Sequence, residues 1–172
     1  MMTFPLKSPL FKVDRSAKRS LIVSPIMLSQ LTVMALALGA FLNPLPAQAN
    51  TVSLNPGFGE REISGTAGGG SALRDLAGRS STSTGDCVGF SGTQPDHLLR
   101  LNANFQDLTV LVKSGADTTL LVKGPGGVWC NDDFQGKNAG LDGQWQPGEY
   151  RVWVGTQGRN QSIGYTLRIS QD

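Results

Sequence analysis

The residues able to do chemistry in this chain are few, and each has a bland competitor. His97 is the single histidine. A nucleophilic hydrolase needs a Ser or Cys within hydrogen-bond reach of a base, and in a triad that base is His. Ser71, in Gly70-Ser71-Ala72-Leu73, lacks the trailing Gly of a nucleophile elbow, and Ser91 reaches His97 only across a turn. Asp96 adjoins His97, yet neighbouring strand residues point to opposite faces. His97 alternates with Leu99 and Leu101, so it belongs to the apolar face of a short strand. A structural histidine is the expectation, and a small hydrolase using His97 is the alternative.

The second group is acidic. Asn131, Asp132, Asp133 and Asp142 fall in a Gly-rich stretch between two strand-like segments, and hard cations take several such oxygens. Asn131, Asp133, Gln135, Gly136 and Asp142 even occupy loop positions 1, 3, 5, 6 and 12 of the EF-hand spacing. The match is incomplete, with amides at positions 1 and 5 and Asp in place of the bidentate Glu at 12. An Asx-turn network satisfying loop N–H groups is therefore expected. A Ca2+ site through Asp132 or Asp133, with Asn131 and Asp142 as further donors, is the alternative.

Aromatic residues form the third group. Trp129, Phe134, Trp145 and Trp153 gather around the same corner. Trp153 and Arg151 alternate with Tyr150, Val152 and Val154 and so point away from them, a candidate surface for a polysaccharide or protein ligand. The competing and favoured expectation is that Trp153 packs in a second core.

Two cysteines, Cys87 and Cys130, complete the inventory. Their compartment is set by the first 49 residues. Lys7, Lys12, Arg15, Lys18 and Arg19 face only Asp14 there, an apolar run follows from Leu31 to Leu42, and Ala47-Gln48-Ala49 closes the segment. This is the pattern of a secretory signal peptide cleaved before Asn50, with an apolar core shorter than the ~20 residues of a span. In an oxidising compartment an even cysteine pair without metal-type spacing is expected to form a disulfide. The leader also carries the basic charge. Of 15 Lys and Arg and 13 Asp and Glu, five basic and one acidic residue lie in it, leaving 10 against 12, a net charge of −2. Without a basic patch, nucleic-acid binding loses its electrostatic footprint.

The elements that position these groups are short strands. Residues 50–86 read as a Gly/Ser/Thr-rich lead-in with an edge strand or two and a single helical turn at Leu73 and Leu76 ended by Gly78. Strands are expected over 87–90, 97–101, 108–113, 118–123, 128–131, 149–155 and 165–170, separated by Gly, Pro and Asp turns. Alternation is clear in Leu108/Val110/Val112, Tyr150/Val152/Val154 and Tyr165/Leu167/Ile169. With no long helix, the fold class is all-β, an antiparallel β-sandwich with jelly-roll-like character, residues 50–172 forming one mature domain with 87–172 as its main body.

Asp117-Thr118-Thr119-Leu120, the turn 124–127, Asn131-Asp132-Asp133, Pro147-Gly148-Glu149-Tyr150-Arg151-Val152-Trp153-Val154-Gly155 and Tyr165-Thr166-Leu167-Arg168-Ile169 follow one another in order. In this order the run resembles the bacterial pre-peptidase C-terminal domain, a β-sandwich module of secreted proteins. The resemblance implies a non-catalytic accessory to a peptidase, although no catalytic domain is attached here. The sequence thus leads to a secreted, periplasmic or extracellular, non-enzymatic binding or accessory module needing no cofactor, with Ca2+ as the one candidate ion. A structural envelope component is a further alternative.

Overall fold

A computed structural model describes residues 49–171; the expected leader, save Ala49, lies outside them. The chain order is β1 (Asn50–Leu54), β2 (Arg61–Ala67), β3 (Ser71–Ala72), α1 (Leu73–Ala77), β4 (Ser81–Thr82), β5 (Gly85–Asp86), β6 (Phe90–Ser91), β7 (His97–Leu101), β8 (Leu108–Lys113), β9 (Thr118–Gly124), β10 (Gly127–Asn131), β11 (Gly140–Leu141), β12 (Gly148–Thr156) and β13 (Ile163–Gln171).

Two sheets form the body. In the first, β12 is central: β7 pairs along its Gly148–Val152 half, β9 along Arg151–Thr156, and β1 and β10 add outside β7 and β9. The short β6 and β3 continue beyond β7, joined through Thr156 opposite Phe90. The second sheet runs β11-β8-β13-β2, every pair antiparallel. The pair β1–β7 is parallel, which alternation within single strands does not reveal.

The alternating apolar positions meet between the sheets. Leu99, Leu101, Leu120, Val122, Tyr150, Val152 and Val154 of the first sheet pack with Val110, Val112, Tyr165, Leu167 and Ile169 of the second. Each large side chain withdrawn from water contributes roughly 1.5–3 kcal/mol, so this interior is the main source of stability. Both tyrosines lie over a neighbouring glycine: a Cβ at Gly65 would overlap the Tyr165 ring and one at Gly124 the Tyr150 ring.

A second, smaller core covers the outer face of the first sheet. Leu121, Cys130 and Trp153 are roofed there by Leu73, Ala77 and Cys87. The helix α1 brings Leu73 and Ala77 down and stops at Gly78, whose φ of 74° suits glycine and whose N–H bonds the Arg74 carbonyl. Cys87 and Cys130 are joined by a disulfide, with Cα atoms 5.1 Å apart.

Residues 50–86 supply the edge strands β1 to one sheet and β2 to the other, and bury Leu54, Ala67 and Leu73 almost completely. The glycine run 68–70 is what allows this. Gly68 and Gly69 take φ of 115° and 150°, and side chains there would strike the backbone of Gln161 and Ser91, so the chain crosses between sheets where only glycine fits. The expected strand at Cys87–Phe90 shrinks to Phe90–Ser91, and the Cys87 N–H bonds the Ser80 carbonyl at 2.8 Å outside the main sheets.

Candidate functional site

A cleft opens beside the β9–β10 turn. That turn is Gly124-Pro125-Gly126-Gly127, with Gly124 opposite Gly127; Pro125 presets the bend and Gly126 takes φ of 88°. It starts β10 so that Trp129, opposite Val122, packs partly against the main core. The loop between β11 and β12 runs alongside, pinned by paired backbone bonds between Phe105 and Trp145, both 2.9 Å. Between turn and loop lies a cavity of about 240 Å3 lined by Trp129, Trp145 and Tyr150, with Asp142, Gln144 and Gln146 among the polar residues of its wall. Thr84, from the β4–β5 turn, closes one side.

The three rings form one block. Trp145 and Tyr150 meet edge to face at 4.8 Å, and Trp129 tilts against them at 6.4 and 6.2 Å. Trp145 is 7% exposed and Tyr150 1%, whereas Trp129 is half-buried. Their polar atoms are tied inward: Trp145 Nε1 donates to the Leu108 carbonyl and Tyr150 Oη to the Gln146 carbonyl, both at 2.9 Å. The floor is consequently apolar and rigid. Hydrogen bonding to a guest falls to the exposed rim.

Trp153 and Arg151 do not make the ligand surface considered for them. Trp153 is 6% exposed under the disulfide-linked roof, with its Nε1 toward the Thr93 carbonyl at 3.4 Å. Arg151 is exposed on the same outer face, opposite Leu98 and Lys123, and away from the cleft. Alternation identifies the face of Trp153 but not the roof that covers it.

The acidic corner divides. Asn131 bridges loops, its Oδ1 accepting from Gly140 N at 3.0 Å and its Nδ2 donating to the Thr84 carbonyl at 3.1 Å. Asp142 accepts from Thr109 Oγ1 at 2.7 Å and joins the aromatic cleft. Burial, then the charges of Asp133, Asp117 and Asp86, push the Asp132 carboxyl above its usual range. Among the described residues, no three His, Cys, Asp or Glu side chains converge as a metal-holding group.

His97 is 1% exposed. Its Nε2 lies 2.6 Å from Tyr165 Oη across the sheet interface, and Nδ1 has no partner among the described residues. Burial lowers its pKa to about 4. Asp96 accepts from Val154 N at 2.8 Å, and burial raises its pKa to about 6, opposed by that bond. Ser91 is fully buried and donates to the Gly92 carbonyl. The histidine thus bridges sheets from within the core.

An uncharacterized protein of Synechococcus elongatus is 30% identical to this chain over 139 residues, covering 78% of this chain and 92% of the relative. The chain belongs to that protein's family. No family model matches it. Among solved structures, it is similar to the pre-peptidase C-terminal domain of a collagenase from Bacillus anthracis, with a TM-score of 0.46 and 16% identity, covering 74% of this chain and all of that domain.

Tyr150, Gln144, Gln146 and Thr84 line the cleft without a motif in the sequence that marks them as site residues. Tyr150 reads as an interior residue, and it is one that also backs the cleft. The alternation Gln144-Trp145-Gln146 is the local signal for the loop, since it sets a buried ring between two exposed amides.

Proposed function

We propose that this protein is a non-catalytic binding module working outside the cytoplasm, and that its ligand contacts the cleft of Trp129, Trp145 and Tyr150. The observation carrying this reading is a concave aromatic floor held rigid by inward hydrogen bonds beneath an exposed polar rim. The non-catalytic part is supported by the position of His97, whose Nε2 is occupied by Tyr165 inside the core. The location is supported by the disulfide, a bond that persists in oxidising compartments, together with the leader-like first 49 residues. No helix among the described residues is long and apolar enough to cross a membrane. An accessory role beside a secreted peptidase is one setting for such a module.

The test is cosedimentation of the purified protein with insoluble envelope material from the producing cells. Wild-type protein is expected to pellet with that material and Trp129→Ala, still folded at the assay temperature, to remain in the supernatant. Equal pelleting of both proteins removes the cleft from the account. Turnover of ester or peptide substrates lost specifically in His97→Gln would replace the binding reading with a hydrolytic one.

A further inference from the structure

We infer that the cleft takes a neutral saccharide, one pyranose ring stacking on Trp129; this rests on the reading of the cleft as the ligand site. Most of the aromatic surface that the floor leaves open belongs to Trp129. An ammonium cage needs several aromatic faces around the cation, and here Trp145 and Tyr150 are 7% and 1% exposed. A single half-open indole backed by two fixed rings is instead a flat platform. Its negative π face attracts the weakly positive C–H groups on one side of a sugar ring.

The rim decides between a sugar and a proline-rich peptide, which also favours aromatic grooves. Asp142 has one oxygen engaged by Thr109, leaving the other as an acceptor. Gln144 uses its amide nitrogen on Gln106 Oε1 at 3.1 Å, leaving its carbonyl oxygen as an acceptor. Trp145 Nε1 and Tyr150 Oη are spent inward, whereas Trp129 Nε1, the second Gln144 N–H and the Gln146 amide remain as donors in the cleft wall. Acceptors and donors together beside a platform call for a ligand that carries both kinds of group around an apolar face. Neighbouring hydroxyls on a pyranose supply them, whereas proline residues offer carbonyls and no N–H. With Asp142 in the wall and no Lys, Arg or His among the described residues that line the cavity, anionic sugars are disfavoured. The cavity of about 240 Å3 is below the ~300–1,000 Å3 of clefts that enclose drug-sized ligands. It holds one ring of a longer chain.

The experiment titrates the whole protein, followed by Trp fluorescence, with neutral hexose and N-acetylhexosamine oligosaccharides in α and β linkage, and with decaproline. At least one oligosaccharide is expected to give a saturable change retained in Trp153→Phe. Trp129→Ala should weaken it at least about tenfold, in the manner of an aromatic anchor. The exposed substitution Gln144→Ala serves as a second, fold-neutral variant and should also weaken it. Decaproline binding that needs Trp129, with every saccharide silent, overturns the sugar assignment while the cleft stands. Saccharide binding indifferent to both variants overturns the site. Silence from all probes overturns the saccharide, and envelope cosedimentation independent of Trp129 would then remove the cleft as well.

Discussion

At the residue scale, Asp96 and His97 form an adjacent pair that titrates in opposite senses. His97 has its folded pKa lowered to about 4 from 6.5; the unfolded chain binds its proton first, so its contribution is present above about pH 6.5 and is lost as the pH falls toward 4. Asp96 has its folded pKa raised to about 6 from 3.8; its contribution is present below about 3.8 and is lost as the pH rises through 6. Between these limits each offsets the other. Asp96→Asn keeps an oxygen to accept from Val154 N but removes the titration. Its melting temperature is therefore expected to fall more steeply than that of the wild type between pH 6.5 and 4, and parallel curves would show that Asp96 carries no such shift. The face occupied by His97 is legible from its alternation with Leu99 and Leu101. Its bond to Tyr165 is not, because that partner lies far along the chain in the other sheet.

At the scale of elements, the turn before β10 and the strand β12 are coupled through Gly124, whose missing side chain leaves room for the Tyr150 ring. Gly124→Ala must displace that ring, at a cost of about 1–3 kcal/mol typical of overpacking. Urea denaturation is expected to show the loss, and ligand titration a weakened cleft, since Tyr150 backs Trp129. Unaltered stability would mean that the ring moves freely. The disulfide makes a separate contribution. Replacing both Cys87 and Cys130 by Ala frees a loop whose closure restricts the unfolded chain by up to about 4 kcal/mol. Hydrogen exchange is expected to rise first in α1 and β4–β5, ahead of the main sandwich; uniform exchange would count against a separate roof. Most strands of this framework were legible in the period-two pattern. Within 71–91 the turn of helix ended by Gly78 was legible too, but the two-residue strands around it were not, since they take their order from a sheet they merely cover.

For the whole molecule, the sandwich follows from the number of half-buried strands, while its cleft arises where the β9–β10 turn meets the loop before β12, and the alternation Gln144-Trp145-Gln146 marks that loop but not the meeting. The acidic corner makes the same point for ions. Asn131 and Asp142, separated by the spacing of a calcium loop, are drawn to different neighbours, Gly140 and Thr84 for one and Thr109 for the other. Millimolar calcium and chelator are accordingly expected to give the same melting midpoint. A calcium-dependent rise abolished by Asp132→Ala would instead establish binding, because a ligand held at a hundredfold excess over its Kd adds about 2.7 kcal/mol. The β4–β5 hairpin has a wider consequence. Thr82 Oγ1 accepts from Cys130 N at 3.0 Å and Thr84 Oγ1 donates to the Cys130 carbonyl at 2.8 Å, so two hydroxyls occupy the ladder positions of β10 that another strand would use. The adjoining disulfide keeps them there. Reducing agents should therefore uncover this strand edge as a template for strand exchange between copies, which makes the protection of the edge a matter of redox environment: light scattering should grow with concentration after reduction, and stay flat while the bond is intact.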